Sequence, residues 1–173
     1  GAGNYMGGFV GNNWGGTIRN ASATGSVDST LNFVGGFVGQ NNGSITNATA
    51  QINIPSATTG YGVQGASSVG GFIGYSYGGT VTNSYARAAV RGTTASASAV
   101  GGFVGRIDGG TLTQSGSYGT VAGAMQVGGF AGWMVNGNVT KSFANSAVTE
   151  TSASGTNGAG GFVGHFRNGT ITE

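Results

Sequence analysis

Apolar residues in this chain recur in short bursts rather than in long runs. Val-Gly-Gly-Phe-Val-Gly is read at Val34 to Gly39, and variants of it begin at Met6, Val69, Val100, Val127 and Ala159. Counted from the first Gly of each pair (Gly7, Gly35, Gly70, Gly101, Gly128, Gly160), the copies stand 28, 35, 31, 27 and 32 residues apart. A lone large aliphatic follows 11 residues on, or 10 in the second copy: Ile18, Ile45, Val81, Leu112, Val139, Ile171. Its neighbours on both sides are polar, the period-two mark of a half-buried strand. Nine residues further come Val27, Ile54, Val90, Val121 and Val148, so the length variation collects at the junction after them.

A fixed frame with insertions at one corner is how stacked coils behave, because each unit buries its apolar face only against its neighbours. The pattern predicts an all-β chain with three short strands per coil: a on Gly-Gly-Phe, b on Thr-Ile-Thr, c ending at the Val. No helix is expected, since Gly and β-branched residues crowd every window. The predicted fold is a right-handed parallel β-solenoid of about six coils, roughly 25–30 Å long at about 4.8 Å per coil. Residues 1–173 read as a single repeat domain. Its inward set comprises the aliphatics of strands b and c and the ladder Phe9, Phe37, Phe72, Phe103, Phe130 and Phe162. Strand a is apolar on both faces, which predicts another layer, loops or a partner over its outer side. Asn20, Asn47, Asn83 and Gln114 are expected to stack at the corner after strand b, with Lys141 interrupting that ladder.

Composition narrows the functional classes. Gly is 39 residues and Pro 1, without a Gly-x-y period, and aromatics at 10% argue against a disordered linker. Six basic and four acidic residues are scattered along the chain, which speaks against nucleic acid and against anionic membrane. No apolar run approaches the roughly 20 residues of a membrane span. Without Cys there is neither a disulfide nor a thiolate ligand.

Catalytic chemistry finds little to work with. His165 is the one His, and Asp28, Asp108, Glu150 and Glu173 lie at different offsets in different repeats. Neither a hydroxyl–His–carboxylate triad nor a glycosidase-like carboxylate pair is suggested. The Gly-rich turns lack the Asp of calcium-binding nonapeptides and the Gly-Lys-Ser/Thr of phosphate loops. A non-enzymatic chain with no cofactor and no metal is expected.

Val-Gly-Gly-Phe-Val-Gly, followed by Asn-Asn-Gly-Ser-Ile-Thr-Asn at Asn41 to Asn47 and by Val-Thr-Asn-Ser-Tyr-Ala at Val81 to Ala86, resembles the GLUG repeat. The resemblance covers essentially the whole chain. The fourth copy departs from it, with Gln114-Ser115-Gly116-Ser117 in place of Asn-Ser-Tyr-Ala. Such repeats occur in large secreted or surface-anchored bacterial proteins, among them filamentous-haemagglutinin-like adhesins and non-catalytic regions of some immunoglobulin A peptidases. The resemblance therefore implies an extracellular, cell-surface structural or adhesive module, with a glycan or a host or neighbour-cell protein as partner.

Two surfaces are candidates for contact. The turn after strand a holds Trp14, Tyr75, Tyr77, Trp133, His165 and Phe166, which stacking would line up as an aromatic edge suited to sugar rings or protein partners. Strand b displays Thr17 with Arg19, Ser44 with Thr46, Thr80 with Thr82, Thr111 with Thr113, Asn138 with Thr140, and Thr170 with Thr172. This two-column hydroxyl ladder resembles the flat ice-binding face of solenoid antifreeze proteins, and Arg19, Ser44 and Asn138 break its regularity. Neither terminal coil carries a cap, so the chain is expected to be an excerpt of a longer solenoid or to stack head to tail into a filament.

Overall fold

The computed structural model describes residues 4–52, 60–95, 98–152 and 158–173. They form a parallel β-solenoid of about five turns, with no helix among them. Hydrogen bonding divides the strands into four sheets, called A to D here. Sheet A comprises Met6–Gly7, Asn32–Gly35, Ser67–Gly70, Ser98–Gly101, Met125–Gly128 and Ala159–Gly160. Sheet B comprises Val10–Asn13, Val38–Asn41, Ile73–Ser76, Val104–Ile107, Ala131–Met134 and Val163–Phe166. Sheet C is the Thr-Ile-Thr series, Thr17–Arg19, Ser44–Thr46, Thr80–Thr82, Thr111–Thr113, Asn138–Thr140 and Thr170–Thr172. Sheet D has five levels. Its strands are Ser22–Gly25 with Val27–Asp28, Thr49–Ile52 with Val63–Gly65, then Tyr85–Gly92, Gly116–Gly123 and Phe143–Glu150.

Sheets A and B are the two limbs of the expected strand a, bent at Gly-Phe. At each bend the N–H groups of Phe and of the next residue both donate to the Phe carbonyl of the following coil: Phe37 N and Val38 N each lie 2.9 Å from Phe72 O. The bend corrects the expectation that strand a needs an outside cover. Val34, Phe37 and Val38 are all fully buried in the core, and the glycine sides of the two limbs cover each other. A Cβ on Gly74 would lie 2.5 Å from both Phe33 C and Val34 N, and one on Gly39 would lie 2.6 Å from Met6 N. Only glycine permits backbones to approach this closely.

The core is a set of ladders one rung apart. Phe37, Phe72, Phe103 and Phe130 are fully buried, and consecutive Phe rings from Phe9 to Phe162 stack at 4.7 to 4.9 Å. This is the strand spacing itself, so ring stacking and backbone pairing share one repeat. Ile45, Val81, Leu112 and Val139 face inward from sheet C as expected, and Val90 and Val121 do so from sheet D. Ile54 lies outside the described residues. Its assigned place is taken by Val63, which pairs with Val27 on one side and Val90 on the other. The insertion of the second coil therefore falls between Ile52 and Val63 rather than after residue 54.

Polar ladders mark the corners. Asn47 donates to Asn20 (3.1 Å) and Asn83 to Asn47 (2.8 Å), all in solvent and all left-handed, with φ of 52°, 54° and 49° for Asn20, Asn47 and Asn83. Asn tolerates this region better than most side-chain-bearing residues, which is the local reason for its recurrence. One residue further on, Ser84 and Ser115 each accept an N–H from the preceding coil and donate to the carbonyl two residues back. A second amide pair, Asn13 to Asn41 at 2.8 Å, is buried on the inward side of sheet B. In later coils that column becomes Ser76, Ile107 and Met134.

Candidate binding surfaces

Sheet B places the aromatic edge. Its outward column runs Asn12, Gln40, Tyr75, Arg106, Trp133, His165 in register. Tyr75, Trp133 and His165 are thus brought onto one line. Phe166 is not on it, because it pairs in register with Met134 and continues the inward column. Trp14 and Tyr77 occupy the turn just beyond the strands, 70% and 55% exposed, with Asn42 between their levels.

The aromatic line is interrupted at Arg106, and the interruption ties it together. The Arg106 guanidinium carbon lies 4.4 Å from the Trp133 ring centroid and 5.7 Å from that of Tyr75. Its Nε and Nη2 both donate to the Asp108 carboxylate at 2.8 Å, and the Tyr75 hydroxyl donates to the same carboxylate at 2.6 Å. Burial, followed by the hydrogen bond to Asp108, holds the Tyr75 phenol well above its ordinary range. The planar guanidinium suits both demands, since it stacks on rings while its edge forks onto a carboxylate.

Besides Arg106, sequence reasoning missed two aromatic members of the strip. Tyr5 lies 5.4 Å from Phe33, and Phe33 lies 5.2 Å from Tyr75, ring centroid to centroid. Phe33 lies within a sheet A strand, where it has a left-handed φ of 54°, and it reaches the sheet B rings because the glycine contact brings the two sheets together. With Tyr77 at 6.1 Å from Tyr75 and His165 edge-on to Trp133 at 5.9 Å, six rings and one guanidinium form a continuous surface strip. The Trp133 Nε1 is buried without a hydrogen-bond partner.

Sheet C presents the second surface. Its two outward columns are Thr17, Ser44, Thr80, Thr111, Asn138, Thr170 and Arg19, Thr46, Thr82, Thr113, Thr140, Thr172, in unbroken register. Hydroxyls bond along the columns, Thr80 to Ser44 at 3.1 Å and Thr113 with Thr140 at 3.0 Å. Among the described residues no three His, Asp or Glu side chains converge as a metal centre would require.

The family model described as the GLUG motif matches residues 2–28, 34–54 and 65–91. Residues 2–91 are a GLUG repeat region. The fourth, fifth and sixth Gly-Gly-Phe copies continue the same rungs in sheets A, B and C. No curated protein and no solved structure matches the chain. Within one coil, the sheet B part of the strip lies on the limb after Gly-Gly-Phe, Tyr5 and Phe33 lie before Gly-Gly-Phe, and the hydroxyl face is on the limb after sheet B.

Proposed function

We propose that this GLUG solenoid is a non-enzymatic structural and adhesive module, displayed outside the cell, whose contact surface is the strip on sheet B. The observation that carries this reading is the continuity of the strip: Tyr5, Phe33, Tyr75, Arg106, Trp133 and His165 touch in sequence across successive coils, with Tyr77 beside Tyr75. Aromatic faces give large contact area with little rotamer freedom to lose, and Arg adds a cation that can stack. An extended partner laid along the stack meets a ring or a guanidinium on most rungs, which favours glycan chains and extended protein segments over compact ligands. The few, scattered carboxylates and the single His support the absence of catalysis.

The test is an array of surface glycans and extracellular proteins probed with the native chain and with Trp133→Ala and Arg106→Ala. Loss of the captured partner in both variants supports the reading. Capture unchanged in both variants, or turnover of any peptide or glycan in a broad hydrolysis screen, overturns it.

A second reading rests on the sheet C face. Its two columns are in register and hydroxyl-rich, with rungs about 4.8 Å apart and the two columns about 6.7 Å apart along each strand. Such spacing favours ordered water and, with it, ice. Thermal hysteresis that Thr82→Tyr abolishes supports this role; no hysteresis or recrystallisation inhibition at any concentration dismisses it.

A further inference from the structure

Sheet D carries a third surface that neither the repeat motif nor the sheet B strip accounts for. Its outward columns are Ser22, Thr49, Tyr85, Gly116, Phe143 and Thr24, Gln51, Arg87, Tyr118, Asn145, in register. Gly116 is where the fourth copy departs from Asn-Ser-Tyr-Ala. The gap it leaves is filled by Phe143: a Cβ on Gly116 would meet the Phe143 ring. That ring leans across the gap to lie 5.2 Å from Tyr118, edge to face, and 6.2 Å from Tyr85.

Arg87 lies beside this cluster, its guanidinium carbon 4.6 Å from the Tyr118 ring centroid. Its column holds no acid. Among the described residues no carboxylate pairs with it, whereas Arg106 is taken by Asp108. Two clefts open on either side of the Arg87–Tyr118 pair. One, of about 270 Å³, is floored by Ala88, Ala89 and Gly119 next to Ile52. The other, of about 340 Å³, lies against Thr49, Gln51, Tyr85 and Phe143.

From this arrangement we infer that sheet D binds a carboxylated sugar, a uronate or a sialate, across Arg87, Tyr118 and Phe143. The ring faces take the apolar C–H face of a pyranose. The guanidinium, 4.6 Å from the Tyr118 centroid and without a carboxylate partner among the described residues, has the planar fork that meets a carboxylate with two parallel hydrogen bonds. Thr49 and Gln51 on one side and Asn145 on the other supply hydroxyl and amide partners for the sugar rim. The backbone groups of sheet D are bonded to neighbouring coils, so an acidic peptide would find no matching main-chain partners on this face. Clefts of this size are at the lower end for small-molecule sites, of order 300 Å³, which fits one or two sugar rings rather than a folded partner.

The experiment is a titration of the native chain with oligogalacturonate and with sialyllactose, followed by amide chemical shifts and calorimetry. Lactose, methyl-esterified oligogalacturonate and an oligoglutamate peptide serve as controls. Saturable binding of a carboxylated sugar is expected, with shifts clustered at Arg87, Tyr118 and Phe143. Affinity should fall at least tenfold for the esterified or neutral sugar and at least tenfold in Arg87→Gln. Tyr118→Leu should weaken both charged and neutral sugars, and Arg87→Lys should recover only part of the loss. Which of the two sugar arms saturates identifies the source of the carboxylate. Trp133→Ala on sheet B leaves this binding intact, so failure of the sheet B reading is distinguishable from failure here. Equal affinity for neutral and charged sugars, preference for the peptide, an unaffected Arg87→Gln, or no saturation by either sugar overturns the inference.

Discussion

Truncation of Phe72 tests the core most directly. Its ring is fully buried and stacks on Phe37 at 4.7 Å and on Phe103 at 4.8 Å, with interplanar angles of 6° and 4°. Phe→Ala in a packed core costs about 3–5 kcal/mol, depending on how far the surroundings close over the cavity. Here they close little, because Phe37 N donates to Phe72 O and Phe72 N to Phe103 O at 2.9 Å, which pins the rungs apart. The upper end applies, and the two ring contacts argue in the same direction at about 0.5–1.5 kcal/mol each. We therefore expect Phe72→Ala to lose about 5 kcal/mol, against a total of about 5–15 kcal/mol for a typical domain. Phe72→Leu keeps most of the volume and forfeits mainly the stacking, so about 2 kcal/mol is expected. Urea unfolding followed in parallel by circular dichroism and by Trp fluorescence measures both. A Phe72→Ala loss below about 2 kcal/mol, or equal losses for Ala and Leu, would refute the view that the ring ladder holds the coils in place.

Gly74→Ala should be at least as damaging as a core truncation, with loss of folded protein in thermal melts, since its Cβ would lie 2.5 Å from two backbone atoms of sheet A that cannot move aside independently. At Asn47, whose φ is 54°, Ala loses two ladder hydrogen bonds and also takes on left-handed strain, whereas Gly loses only the bonds. Denaturant titration should place Asn47→Ala about 1 kcal/mol below Asn47→Gly. The Tyr75 phenol is held above its usual value of 10.0, so the folded state retains this proton more tightly than the unfolded chain. Its contribution is fully present below about pH 10 and is lost as pH climbs from there through the raised folded value. Alkaline unfolding profiles of Tyr75→Phe should therefore fall less steeply above pH 10 than those of the native chain, and identical slopes would contradict this assignment.

The rung-by-rung register was legible because the sequence repeats it: Ile18, Ile45, Val81, Leu112, Val139 and Ile171 pair as their spacing requires. The bend at Gly-Phe left a signal, two consecutive apolar residues, that a strand covered on both sides would also leave. Local pattern does not separate a second layer from a chain that turns onto itself; the backbone contacts at Gly39 and Gly74 do. Ile54 was chosen by counting nine residues from Ile45, but the slot belongs to Val63, a β-branched residue of the same kind beyond the insertion. The aromatic edge was half legible. Tyr75, Trp133 and His165 share a column, whereas Phe166 is one residue out of phase, and in a strand that reverses the face. Tyr5 stands just before the first strand of sheet A, Phe33 lies in sheet A, and Arg106 is not an aromatic, so none had a reason to be grouped with the rest. Tyr85 and Phe143 were hidden at the Tyr position of the repeat motif and Tyr118 just past it, and only the lean of Phe143 into the space above Gly116 joins them.

The parallel pairing between coils has a mechanical meaning. Strands run around the stack and their hydrogen bonds run along it, so a tensile load on the two ends pulls each coil junction open across all four sheets at once. Junctions are loaded in series, and the one with the fewest bonds and smallest side chains yields first. A coil set free by that rupture, such as the 31 residues from Gly70 to Gly101, pays out slack of roughly 100 Å at about 3.3–3.6 Å per residue. The stack thus behaves as a string of sacrificial links, lengthening one coil at a time under a force that would otherwise reach whatever it is attached to.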